Sequence, residues 1–371
     1  MKKKLLALAT TLLLPNMSYA AACADGANAA GCTIGTTGFD YTLTGDIAPA
    51  SGVVGIQFTS GATTNTTTLT GGITTTGTSA YGLYLLNSTN NTTTLTGDIS
   101  TGNVGGTTGI NAHGLWLDTS DSNTTTLTGD ISTTGDYARG LWLDTSDSNT
   151  TTLTGDISTE GTSAYGLWLS ISDNNTTTLT GDISTTGESS TGIRFFNSNS
   201  NNLIHRGNIT TTDTYSMAIN LDGSDSNTLD LTGNISVSLS DAFYIYDSEL
   251  NTITMDGNIT VSGDHNDAYY VDGNTSVTTR NNITHTGNIS TSGDDGYGVH
   301  LNSTSANTVV ITGDISTTGN GASGYHISDS DSNILTLTGD ITTTGTLSDG
   351  DYGTNAHGIH SIASSSNTFT V

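Results

Sequence analysis

Residues 123–143 read NTTTLTGDISTTGDYARGLWL, and this stretch decides the fold. Its first eleven residues recur unchanged from Asn91, Asn149 and Asn175. Looser copies extend from the start of the repeats to the last residue. The Ile that closes each LTGDI-like segment marks the period. It falls at Ile47, Ile73, Ile99, Ile131, Ile157, Ile183, Ile209, Ile235, Ile259, Ile289, Ile315 and Ile341. Eight of these eleven steps are 26 residues long, and the others are 32, 24 and 30. A fixed period in this range means stacked units that share one core.

The residue types say what the unit is. Thr, Ile, Leu and Tyr at period two are strand formers, and Asn, Gly, Ser and Asp mark turns. Strand side chains alternate faces. Asn123, Thr125, Leu127, Gly129 and Ile131 therefore point inward, and Thr124, Thr126, Thr128 and Asp130 outward. Gly129 has no side chain to fill a core, so it reads as a corner. After the next turn Leu141 and Leu143 point in and Trp142 points out. Each rung is expected to hold an inward strand pair joined by short turns. Twelve rungs stacked about 4.8 Å apart give a β-helical rod of roughly 55 Å. A β-propeller blade needs about 40 residues, more than the period offers. The inward Asn recurs from Asn65 to Asn367, which predicts a buried ladder of stacked amides that satisfies corner carbonyls. The first rung has Phe39 in that place, expected to cover the open end of the core.

The first twenty residues stand apart. Lys2, Lys3 and Lys4 precede an apolar run over residues 5–14, and Ser18-Tyr19-Ala20 offers small residues at the positions signal peptidase reads. This predicts a Sec signal over residues 1–20, cleaved after Ala20 or Ala22, with an N-terminal cap over 21–38 and repeats over 39–371. The run is too short to span a bilayer, and no other segment approaches that length. Lipidation at Cys23 is disfavoured, because Ala20 stands where Leu is usual. Cys23 and Cys32 are the only cysteines. In an exported chain they are expected to form a disulfide worth roughly 2–3 kcal/mol on the loop-entropy scale.

Beyond the leader, four arginines face 34 acids, a net charge of −30. Such a polyanion is repelled by nucleic acid and anionic lipid. Phe369 and Val371 take the inward positions of Thr125 and Leu127. That predicts a chain interrupted within a rung.

The signal and repeats such as AxGLWLDTSDSNTTTLTGDISTTG resemble the passenger regions of Gram-negative autotransporters over residues 21–371. The resemblance implies a right-handed parallel β-helix, here of about 12 rungs, that crosses the outer membrane and is displayed at the cell surface or released. The family's C-terminal translocator barrel is absent from this sequence and is expected to follow it if the chain is a fragment.

Nothing forms a catalytic constellation: there is no HExxH, GxSxG or Walker loop. The outward Asp at Asp130, Asp156 and Asp182 repeats along a row, whereas catalysis wants one unequal pair. Stacked carboxylates repel, so calcium is the cofactor this row would take, if any; salt screening is the plainer remedy.

The residue between the inward apolars of the LWL segment forms an aromatic row, Tyr84, Trp116, Trp142 and Trp168, continued later by Tyr244, Tyr270, His300, His326 and His360. It is the candidate ligand-binding strip, offered to a glycan or a host surface protein; a purely structural ladder is the alternative. Outward Thr triplets, from Thr66/Thr68/Thr70 to Thr176/Thr178/Thr180, form a grid that would suit ice. The expectation is an adhesive or structural rod without catalysis, with a polysaccharide-acting enzyme and an ice-binding solenoid as alternatives. The longer turns ending at His113-Gly114 and His357-Gly358 read as length drift.

Overall fold

A computed structural model describes residues 21–23, 30–102, 110–273, 280–345 and 356–371. The expected signal peptide, residues 1–20, lies outside the described residues, as does Asn355 of the second longer turn.

The chain is a parallel β-solenoid of about twelve turns, roughly 26 residues apart, and the described residues contain no helix. Strands stack in three sheets of 14, 13 and 11 members, each joining a strand to its equivalent one turn on. The rung of the opening stretch shows how. Thr124–Thr128 lies in the 13-stranded sheet, Ile131–Thr134 in the 11-stranded sheet and Leu141–Asp144 in the 14-stranded sheet. Each rung thus has three sides, where the sequence suggested a strand pair. The missed break lies at Gly129, which was read as a corner but not as the end of a sheet. Its φ of +144° is open to glycine, and a Cβ there would collide with the Gly97 carbonyl oxygen.

Register is held without slippage. Leu115, Leu141 and Leu167 align, as do Leu95, Leu127, Leu153 and Leu179. These residues are buried with Ile99, Ile131, Ile157 and Ile183 in one continuous core. The inward parity of residues 123, 125, 127 and 131 holds, because all four are buried.

The corners carry the expected amide ladder. Asn123 donates its backbone N–H to Asn149 Oδ1 at 2.8 Å, Asn149 to Asn175 at 2.8 Å, and Asn175 to Asn201 at 2.8 Å. The side-chain amide of Asn123 also donates to Asn149 Oδ1 at 3.3 Å and to the Ser88 carbonyl at 2.9 Å. Each buried amide is satisfied by its equivalents one rung away, so the corner needs no water. A second ladder escaped the sequence reading. Ser120 donates its N–H to Ser146 Oγ, Ser146 to Ser172 and Ser172 to Ser198, at 2.9–3.0 Å. Its signal was the Ser three residues before each Asn, hidden among other turn serines.

At the N-terminal end, Cys23 and Cys32 are disulfide-bonded, their Cα atoms 4.8 Å apart. Cys32–Ile34 pairs with Ile56–Phe58, so the 14-stranded sheet already runs through the segment expected to be a cap. Phe39 does not cover the core: it is 56% exposed. Its backbone N–H takes the first rung of the ladder, bonding Asn65 Oδ1 at 3.0 Å.

Candidate functional site

Two of the three outer faces are paved with hydroxyls in the early rungs; from Asn202 on, the 13-stranded sheet places Ile204, Arg206, Asp230 and Asp256 among them. Thr66, Thr92, Thr124, Thr150 and Thr176 align across five strands of the 13-stranded sheet, and the two outward Thr columns beside them align likewise. In the 11-stranded sheet Ser100, Ser132, Ser158 and Ser184 form a similar column. The outer face of the 14-stranded sheet differs. Among the described residues it carries most of the outward rings, chiefly in two parallel rows.

The strand row holds Tyr84, Trp116, Trp142 and Trp168 in register. The rings stack face to face. Trp116 and Trp142 have centroids 4.6 Å apart and planes 3° apart; Trp142 and Trp168 are 5.1 Å and 5° apart. Tyr84 stacks on Trp116 at 4.6 Å and donates its hydroxyl to Asp118 Oδ2 at 2.9 Å. Beside them, the turn row begins with Tyr81, His113, Arg139 and Tyr165. His113 is parallel to Tyr81 at 5.2 Å and edge-on to Trp116 and Trp142. The Arg139 guanidinium lies 4.7 Å from the Trp142 ring and 4.6 Å from Trp168.

This packing corrects the expectation of an exposed strip. Tyr84 is 8% exposed, the three tryptophans are half-buried, and their indole N–H groups are buried without a partner among the described residues. Each ring spends its faces on its neighbours. A sugar cannot stack on a face that another indole covers, and the stacked geometry is that of a ladder.

Asp130, Asp156 and Asp182 also have a local task. Asp130 Oδ1 accepts the Asp156 N–H at 2.8 Å, Asp156 Oδ1 that of Asp182 at 2.8 Å, and Asp182 Oδ1 that of Asn208 at 2.7 Å. The row ties one rung's corner to the next. Asn does this equally well, as Asn208 Oδ1 does for the Asn234 N–H at 2.9 Å. That explains the Asp-to-Asn changes along the row. Among the described residues no three His, Cys, Asp or Glu side chains are grouped so as to hold a metal ion.

Further along the same face the chemistry becomes titratable, which sequence reasoning missed. Asp241 and Asp267 occupy the turn row. Asp241 Oδ1 accepts the Asp267 N–H at 2.7 Å, and Asp267 Oδ1 accepts the Tyr297 N–H at 2.7 Å. Asp267 Oδ2 lies 2.8 Å from His300 Nδ1. Burial, then the neighbouring Asp267, raises the Asp241 carboxyl to about 8, and burial also raises Asp267. Burial lowers His300 to about 4, and burial with its His neighbours lowers His326 to about 4. His326 is parallel to Tyr297 at 4.3 Å, and its Nδ1 is 3.3 Å from that of His360. The only hint in the sequence was two Asp residues in a row that otherwise holds Tyr, His, Arg or an uncharged side chain such as Thr191 and Met217.

Comparison with known protein families, curated proteins and solved structures finds no match to this chain.

Proposed function

We propose that this chain is an exported, surface-displayed β-helical passenger, similar to those of autotransporters, that works as an adhesive rod and not as a catalyst. The leader-like first twenty residues and the autotransporter-like repeats motivate export, outer-membrane passage and surface display. The distribution of chemistry over the rod carries the adhesive reading. The amide ladder repeats rung after rung, while stacked rings and perturbed carboxyls gather on the outer face of the 14-stranded sheet. A surface of changing residues on a repeating backbone scaffold suits recognition of an extended partner, here a glycan or a host surface protein. The most perturbed carboxyls of that face, the half-buried Asp241 and the buried Asp267, are bonded to their neighbours, which supports binding over catalysis there. The whole chain should be retained on immobilised glycans or host cells; no retention across a broad panel removes the reading. Release of oligosaccharides from neutral or acidic polysaccharides would favour an enzyme instead.

One observation favours a second reading. The outward Thr columns of the 13-stranded sheet are in register over five strands, as an ice-binding grid requires. Thermal hysteresis in the parent that Thr126→Tyr abolishes would establish it, and its absence in the parent would dismiss it.

A further inference from the structure

The ring-paved face is interrupted in one place. In the strand row, Trp168 is followed in register by Arg194, Asn220 and then Tyr244. In the turn row, Tyr165 is followed by Thr191 and Met217. Both rows lose their aromatic rings in the same two rungs. The space left is a pocket of about 360 Å³, walled by Tyr165, Thr191, Arg194, Tyr215, Met217 and Asn220. Cavities of roughly 300 Å³ and above are large enough for a small ligand.

The wall holds two polar atoms that nothing satisfies. Asn220 is 7% exposed, and its Oδ1 is buried without a hydrogen-bond partner among the described residues. The Arg194 Nε–H is in the same condition. One is an acceptor and the other a donor. A ligand hydroxyl, which donates and accepts, complements both once the Asn220 amide and the Arg194 guanidinium turn toward the pocket. The rest of the guanidinium is engaged: Nη1 donates to the Tyr165 hydroxyl at 3.0 Å and Nη2 to Asp222 Oδ2 at 3.4 Å. The Asp222 pairing and the chain's excess of acids turn the site away from anions. Apolar surface is also present. Met217 forms part of the wall, and Tyr215 is 69% exposed on a turn residue with φ of +56°. Its ring is not consumed by the ladder, unlike those of Trp116 and Trp142.

We propose that this pocket binds one neutral pyranose residue of a glycan. The sugar hydroxyls meet Asn220 and Arg194, and the apolar face of the ring lies against Tyr215. The inference rests on the adhesive reading and names the ligand class for it.

The test uses the whole chain, titrated with galactose, mannose, N-acetylglucosamine and N-acetylneuraminic acid, with binding followed by calorimetry. Asn220→Tyr places in the pocket the residue that Tyr244 places in the next rung, and so fills it. Arg194→Met removes the donor, and Tyr215→Ala removes an exposed ring with little risk to the fold. At least one neutral sugar should bind. Asn220→Tyr and Arg194→Met should weaken it tenfold or more, and Tyr215→Ala severalfold, with circular dichroism unchanged. Undiminished binding in Tyr215→Ala and in a folded Asn220→Tyr would overturn the pocket while the adhesive reading stands. Binding of N-acetylneuraminic acid alone would overturn the neutral-sugar assignment. If no monosaccharide binds, the pocket falls. Retention of the parent on glycans or cells then decides the adhesive reading separately.

Discussion

The rungs from Asn91 to Thr185 and those from Asn201 onward share one architecture but differ in what fills it. In the early rungs the second inward position of the 13-stranded sheet is Leu95, Leu127, Leu153 and Leu179. In the later rungs the same column passes through His205, Leu231, Met255, His285 and Ile311. The outer face changes in step, from stacked tryptophans to Asp241, Asp267 and a run of histidines. The amide ladder does not change: Asn251 gives its N–H to Asn281 Oδ1 at 2.9 Å, as Asn123 does to Asn149. The amide ladder needs a side chain that both donates and accepts at one place, whereas a core column asks mainly for volume.

This contrast can be broken or sharpened by substitution. The largest effect is expected at the ladder, and equally in both regions. Asn149→Ala strips the acceptor from two buried donors of Asn123, and should cost about 2–4 kcal/mol. Asn251→Ala should cost about the same. Denaturant melts that showed only one of them to matter would mean that the ladder is not shared.

Trp142→Ala opens a gap between two stacked rings and should cost about 2–3 kcal/mol, with little dependence on pH. Its stability measured at pH 5 and pH 8 should fall below the parent by similar amounts.

His205 sits in a Leu column, 1% exposed, with its ring close to the backbone of Gly207 and Asn208 but without a hydrogen bond of ordinary geometry among the described residues. His205→Leu should stabilise the rod by about 1–2 kcal/mol at neutral pH. The gain grows in acid. Burial lowers His205 from its ordinary 6.5 to about 4, so it is neutral when folded and charged when unfolded between those values. The parent loses stability as pH falls from 6.5 through 4, and the variant lacks that share. A melting-temperature difference that shrank on acidification would contradict this.

Asp241 works in the opposite direction. Its carboxyl is raised from 3.8 to about 8, so folding holds a proton that the unfolded chain releases. Its contribution is full below the lower value and is lost as pH rises through the upper one. Asp241→Asn keeps the oxygen that accepts the Asp267 N–H. It should be close to neutral at pH 4 and stabilising by about 1 kcal/mol or more at pH 8. An equal effect at both pH values would show that the carboxyl is not held protonated.

The sequence made the solenoid, the core parity, the Asn ladder and the Cys23–Cys32 pair legible, because each depends on residue type at a fixed spacing. The third side of each rung was harder to see, since TTTLTGDIST keeps one parity across Gly129 and reads as a single strand. The outer face was misjudged for a related reason. Parity says that Trp142 points out of the core, but it cannot say that the indoles stack over one another's faces. The pocket at Asn220 was invisible to the period altogether. It exists because two rows, three residues apart along the chain, lose their rings in the same rungs, and only the folded register places Thr191 and Met217 beside Arg194 and Asn220.

The central claim is that adhesion belongs to the outer face of the 14-stranded sheet. Its most direct test compares retention of the parent, Asn220→Tyr and Thr126→Tyr on one glycan array. Thr126→Tyr, on the Thr-paved face, should bind like the parent, and Asn220→Tyr should lose tenfold or more. Loss in Thr126→Tyr with binding intact in Asn220→Tyr would place adhesion on the wrong face and contradict the account.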